Sequence, residues 1–188
     1  DADVDDLELR ALDRIGSESR RLESLVTQLL LLERIDAAAD DLVPMDLEPL
    51  VREYLGDLAD LGTPRVITWD LRPEIIRGNA DQWRQVLANV AQNLQRHTPE
   101  GSPVAVRLAG DAHQVELVID DSGPGIPADQ RAVALERFGR PDSSRSRSTG
   151  GFGLGMSVIA AVIARHHGSL ELAESPAGGL RLRIVIPR

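Results

Sequence analysis

The sequence contains no cysteine. Disulfide bonds and thiolate metal centres are therefore outside its chemistry. It also lacks a basic surplus: 21 Lys/Arg against 30 Asp/Glu leave a formal net charge of −9. That balance argues against general nucleic-acid affinity, because phosphate backbones attract basic faces. No apolar run reaches the roughly 20 residues of a membrane span, and no signal peptide opens the chain. Direct membrane insertion by these residues is not expected. The first residue is Asp1, and the chain reads as an excised soluble piece of something longer, folded in a reducing compartment. What is present, 188 residues of which 42% are hydrophobic, suffices for one good core, or one core with a small appendage.

From about Val4 to Ile35 no proline interrupts, and Leu9, Leu12, Ile15, Leu22, Val26, Leu29 and Leu32 recur at three- and four-residue steps, with Ser19 filling one slot. This is close to a heptad seam. Asp1, Asp3, Asp5, Asp6 and Glu8 crowd the start, where a helix dipole favours negative charge. A lone helix cannot bury such a stripe. Either it packs on the rest of the chain or it is a self-associating stalk, and the stalk is the preferred reading. Asp36 to Asp41 and Pro44 read as a linker. A helix is expected from Asp46, as N-cap, to Leu61, then strands over Arg65–Leu71 and Glu74–Arg77.

Asn79 to Thr98 has the pattern of a second helix, with Trp83, Val86, Leu87, Val90 and Leu94 as its buried stripe. Asn89 and Asn93 are four apart and stack on one face. Asparagine is a mediocre helix former. Two amide oxygens one turn apart suit a hard cation such as Mg²⁺, which completes its shell with water and phosphate oxygens; a solvated polar face is the alternative. Pro103–Ala109 and His113–Asp121 read as a hairpin whose second strand is central. That strand runs into Asp121-Ser-Gly123-Pro-Gly125-Ile126-Pro127. An ionised aspartate only accepts hydrogen bonds, and adenine offers a donor at N6 where guanine offers an acceptor. Asp121 thus either reads adenine or caps its own turn.

Arg137, Arg140, Arg145 and Arg147 gather between the two glycine-rich segments, and Ser143 to Thr149 has almost no core residues. They form a triphosphate lid or a solvated loop. Beyond it, Gly151-Phe-Gly153-Leu154-Gly155 opens an apolar helical pattern running to His167. It reads as a glycine loop delivering phosphates to a helix N-terminus, with a flexible surface loop as the alternative. Strands over Ser169–Glu174 and Leu180–Ile186 finish the chain.

In this order and spacing the segments resemble four sequence boxes of bacterial two-component sensor histidine kinases, in the catalytic ATP-binding domain whose fold is shared with gyrase. Asn89 to Pro99 looks like the N box and Asp121 to Pro127 like the G1 box. Leu135-Glu-Arg-Phe138-Gly-Arg140 is similar to the F box, and Gly151 to Gly155 to the G2 box. The resemblance implies an α+β fold: a two-layer α/β sandwich of the Bergerat type, a mixed sheet with helices on one face, preceded by a long coiled-coil-like helix. It divides the chain into a second dimerisation and phosphotransfer helix (1–36), a linker (37–45) and the ATP-binding domain (46–188).

The same resemblance implies ATP and Mg²⁺ as ligands. Asn89 and Asn93 would hold the metal and, with Arg140, serve catalysis. Arg96, His97 and Thr98 would lie along the nucleotide, as would Asp121, Gly123, Gly125 and Ile126. Phe138, Arg140, Gly151, Gly153, Leu154 and Gly155 would complete the site. The implied reaction moves the ATP γ-phosphoryl to a histidine on a helix absent from these residues. None of His97, His113, His166 and His167 sits in a His-Glu/Asp-x-x-x-Pro setting, so autophosphorylation of this piece alone is not expected. Implied partners are a second copy, through the N-terminal helix, and a response-regulator receiver domain. The implied location is the cytoplasmic part of an inner-membrane-anchored sensor. Rival readings are a degenerate nucleotide-binding or scaffolding module without kinase activity, a serine kinase of the anti-sigma-factor kind, and a gyrase-type ATPase, which generally carries glutamate where Asn89 stands.

Overall fold

A computed structural model describes residues 42–56, 58, 66–139 and 153–188, with isolated positions at 12, 15, 16, 18, 19, 22, 23, 26 and 30. In chain order the elements are β1 (Val43–Asp46), α1 (Glu48–Gly56), β2 (Val66–Leu71), β3 (Ile75–Gly78), α2 (Ala80–His97), β4 (Pro103–Gly110) and β5 (Gln114–Asp121). A short helix, α3 (Arg131–Leu135), then precedes α4 (Gly155–Arg165), β6 (Ser169–Glu174) and β7 (Leu180–Pro187).

Alternation along the strands sorts side chains between two faces. In β4, Val104, Val106 and Leu108 are buried while Ala105 and Arg107 are exposed. The same split puts Leu117 and Ile119 of β5, and Leu182 and Ile184 of β7, into the core. Five strands join in the order β2-β4-β5-β7-β6, and β1 pairs separately with β3. Only β2–β4 is parallel within the five; the other pairings are antiparallel, so the sheet is mixed. β5 is central, as its nearly unbroken apolar run predicts. Helices α1, α2 and α4 contribute Val51, Leu55, Trp83, Leu87, Ile159 and Ile163 to the same core.

The face of the sheet turned away from these helices carries charged residues. Arg107 reaches Glu116 (3.0 Å), Arg183 reaches Glu116 (2.6 Å) and Glu171 (3.5 Å), and Arg181 grips Asp120 through two bonds of 2.7 Å. Pairs at a sheet surface such as these, half-buried at Asp120 and Glu116, contribute modest stability each. Their effect is to keep this sheet face polar while each charge offsets a neighbour.

α2 is the best delimited element. Asn79 is its N-cap, its side-chain oxygen accepting from the N–H groups of Asp81 (3.0 Å) and Gln82 (3.1 Å). Thr98 closes it with a backbone N–H to Leu94 O at 3.0 Å. The cap satisfies two of the donors that every helix start leaves over. Asn79→Ala is expected to lower stability by about 1 kcal/mol, seen as a lower urea midpoint at unchanged m-value.

Most element ends fall within two residues of the sequence reading, and two places differ by more. Val43–Met45, assigned to a linker, form β1 against Ile76–Gly78, and α1 begins at Glu48 and ends at Gly56. Asp46, read as the N-cap, lies one residue ahead of that position at the end of β1, where its Oδ1 accepts from Glu48 N–H at 3.1 Å and Glu74 N–H at 3.3 Å. The reason is tertiary: a proline-bearing edge strand such as Val43-Pro44 becomes a strand only when a partner is present. The long helix expected over Val4–Ile35 lies largely outside the described residues. The nine positions described there are helical, and Leu12, Ile15, Leu22, Val26 and Leu30 are exposed.

Candidate nucleotide site

Two helices and one strand end supply the site. α2 carries Asn89 and Asn93 on the face turned toward the start of α4. Asn89 is buried, and its Nδ2 donates to Gln85 O at 2.8 Å, which fixes the amide so that Oδ1 points away from its own helix. A Cβ on Gly155 would lie 3.0 Å from Asn89 Oδ1 and 3.8 Å from Asn93 Oδ1. Both amide oxygens thus face bare backbone at the first residue of α4. The Nδ2 of Asn93 is buried with no hydrogen-bond partner among the described residues. Buried amides are rarely left so, and an acceptor arriving with a ligand would satisfy it.

The opposite wall begins at α4. Gly153 has φ +72°, a left-handed turn, and Leu154 is buried beneath it. The Leu154 carbonyl accepts from Val158 N–H (2.9 Å) and the Ser157 hydroxyl (2.9 Å), which pins the first turn. The N–H groups ahead of that turn lack intrahelical acceptors and carry the positive end of the helix dipole.

Asp121 ends β5, half-buried. Its Oδ1 accepts from Gly123 N–H at 2.7 Å and from Leu180 N–H at 3.1 Å. The turn-capping reading is therefore correct for one oxygen, while no hydrogen bond links Oδ2 to the described residues. Gly123 rests on α2: a Cβ there would come within 2.7 Å of the His97 carbonyl, one turn beyond Asn93. Gly125 adopts φ +64° against Gly179, and the Ile126 carbonyl accepts from Arg131 Nε at 3.0 Å. Thr98 is buried at the end of α2 while the His97 side chain is exposed. The exposed Arg96 guanidinium is held below its usual range by partial desolvation, yet it remains a cation at neutral pH because arginine does not deprotonate in proteins.

Phe138 is exposed, with φ +64°, an uncommon backbone for a residue with a bulky side chain. Arg140 and Gly151 lie outside the described residues. Sequence reasoning missed Gly179. A Cβ there would collide with Asp121 Oδ1 and its carbonyl, so only glycine lets the β6–β7 turn close over that carboxylate. A Gly-Gly pair between two strands was the available signal, but it also fits any tight turn.

An acceptor-only carboxylate and a helix N-terminus facing two amide oxygens suit a purine base joined to a phosphate chain. The class is an ATP-binding domain on a mixed α+β scaffold. The chain belongs to the histidine kinase-, DNA gyrase B- and HSP90-like ATPase family, whose model matches residues 78–188. It is 37% identical over 169 residues to the probable sensor histidine kinase TcrY of Mycobacterium tuberculosis, covering 88% of this chain and 36% of that protein. The mycobacterial sensor histidine kinase MprB superposes with a TM-score of 0.70 at 30% identity, over 77% of this chain and 97% of that one. Full-length ShkA, solved in complex with AMPPNP, gives a TM-score of 0.70 at 26% identity, over 88% of this chain and 35% of that one. The chain spans little more than a third of the length of TcrY. It has the catalytic ATP-binding domain of the sensor histidine kinases.

Proposed function

We propose that this domain binds Mg-ATP and presents its γ-phosphoryl to a histidine supplied from outside these residues, in a two-component phosphorelay. The observation that carries the reading is the convergence of Asn89 and Asn93 Oδ1 on Gly155. Two neutral oxygen donors fit magnesium, which takes few protein ligands and shares phosphate oxygens. Bound there, it would supply neutralisation of phosphate charge. Asn89 and Asn93 would hold it.

The chain's own residues do the positioning. Asp121 Oδ2 would accept from the adenine N6 amine, with its other oxygen locked to Gly123 and Leu180. The α4 N-terminus and the backbone of Gly153 and Gly155 would receive phosphate oxygens, with Arg96 and Arg140 adding positive charge. Gly123, Gly125 and Gly151 would allow close approach, while His97, Thr98, Ile126, Phe138 and Leu154 would border the base and sugar. Catalysis of this kind is orientation and electrostatic stabilisation, with little covalent work for the protein.

The partners belong to the same proposal. The exposed Leu12, Ile15, Leu22, Val26 and Leu30 support a helical stalk (1–36) joined by a short linker (37–42) to a catalytic domain that begins with β1 (43–188). Such a stalk would pair with a second copy in a helical bundle. A response-regulator receiver domain would take the phosphoryl group onward. No described helix is long and apolar enough to cross a membrane; the kinship with sensor kinases supports a cytoplasmic position in a membrane-anchored sensor.

The test mixes this chain with a separately produced histidine-bearing helical domain of a sensor kinase and γ-labelled ATP. Acid-labile, base-stable label on that domain is expected. Steady release of free phosphate without protein labelling would instead favour a gyrase-type ATPase.

A further inference from the structure

His166 is the one buried histidine among the described residues, 2% exposed at the end of α4, and the nucleotide chemistry above makes no use of it. Its Nδ1 lies 2.8 Å from the Val162 carbonyl, which can only accept. Nδ1 therefore carries the ring proton. Its Nε2 lies 3.2 Å from the Asn79 backbone N–H, which can only donate. The ring is thus the neutral Nδ1–H tautomer, fixed by the partner at each nitrogen. Trp83 of α2 stands edge-on to it, centroids 5.7 Å apart and planes at 72°.

The place of this contact matters. Asn79 is the N-cap of α2, so the start of α2 is tied to the end of α4. Gly155, at the start of α4, faces Asn89 and Asn93 further along α2. The two helices therefore run antiparallel and meet at two points. Asn79 to Asn89 spans about 15 Å of helix, and Gly155 to His166 about 16.5 Å, at 1.5 Å per residue. The spans agree to within one residue's rise. Both contacts form together in this register, and a slip by one residue would move the amide pair about 1.5 Å along α4.

We propose that His166 is a positioning residue for Mg-nucleotide binding: by accepting the Asn79 N–H it locks α2 against α4 and holds Asn89 and Asn93 opposite Gly155. This rests on the nucleotide-site reading given above. It also makes the site sensitive to acid. A second ring proton would sit on Nε2 and face a donor, removing the acceptor. Burial, opposed by the Val162 bond and reinforced by Arg165 and His167, keeps the ring's pKa below its ordinary 6.5. Among the described residues those two are the charged and titratable groups acting on it; α2 meets the ring with Trp83 and the Asn79 amide. Because the folded form binds its proton more weakly than the unfolded chain, the stabilisation is full above that ordinary value. It is lost as pH falls through the lowered one.

The experiment is calorimetric titration of Mg-AMPPNP into this 188-residue chain from pH 8 to pH 5.5, for wild type, His166→Gln and His166→Phe. Gln supplies an acceptor that does not titrate; Phe keeps the ring and supplies none. At pH 7.5 Gln is expected to bind within about threefold of wild type and Phe about tenfold more weakly, one unmade hydrogen bond at 1.4 kcal/mol per decade. On acidification wild type should lose about threefold more affinity than Gln, because the ligand's own titration is common to both. Superposed wild-type and Gln pH profiles would overturn the proposal, as would a folded Phe variant that binds like wild type. If circular dichroism shows Phe unfolded, the Gln comparison decides by itself. Wild-type binding at pH 7.5 tests the nucleotide site; the differences between variants test the clamp.

Discussion

Asp121→Asn is expected to weaken ATP binding ten- to a hundredfold while the domain stays folded. The asymmetry of the carboxylate makes the substitution informative. Oδ1 already accepts two backbone donors, Gly123 N–H and Leu180 N–H. An asparagine keeps both only by placing its carbonyl oxygen there, since its NH₂ would meet donors. The NH₂ is then forced into the position of Oδ2, where it would face the adenine N6 amine, donor against donor. Hydrogen bonds to charged groups are worth about 1.5–3 kcal/mol, and about 1.4 kcal/mol is a decade of affinity. GTP carries an acceptor at the corresponding atom, so the variant should narrow or invert the preference for ATP over GTP. Calorimetry with both nucleotides reads the effect, and a melt checks that stability moves by less than about 1 kcal/mol. Unchanged ATP affinity in a folded variant would remove adenine recognition from Asp121.

The sequence exposes those parts of the fold whose signals are local. α2 is legible from the stripe through Trp83, Leu87 and Leu94 and from Asn79 before it, and it forms over Ala80–His97. The Asp121 turn and the Gly153–Gly155 loop are equally legible, because loop, carboxylate and helix start are contiguous. What stays hidden depends on residues far apart in the chain. β1 pairs with β3 some thirty residues on, and nothing in Val43-Pro44 announces it. Gly179 closes over Asp121 from 58 positions away, and His166 meets Asn79 at a separation of 87. A histidine before His167-Gly168 at a helix end looks like an ordinary C-terminal residue until the neighbouring helix is in place. The sheet order is hidden for the same reason, since pattern marks strands but not their neighbours.

Asn89→Ala should abolish most of the magnesium dependence of nucleotide affinity while sparing binding in EDTA. The side chain has two ends with different duties. Nδ2 is occupied by the Gln85 carbonyl, and Oδ1 faces Gly155 beside Asn93 Oδ1. Alanine removes both, but loss of the Gln85 contact is tolerable because that carbonyl keeps its normal helical acceptor role. Alanine is also the better helix former. The remaining consequence is the missing oxygen. Removing even a supporting partner of a metal ligand typically lowers metal affinity about 10–100-fold, and a ligand should cost at least as much. Asn93→Ala should act in the same sense, and the double variant should fall short of the sum, because groups sharing one ligand couple. Titrations of ADP with magnesium and with EDTA separate the possibilities. If Asn89→Ala weakens both titrations equally, the amide pair shapes the wall of the site rather than gripping a cation, and the metal assignment fails even though the nucleotide site stands.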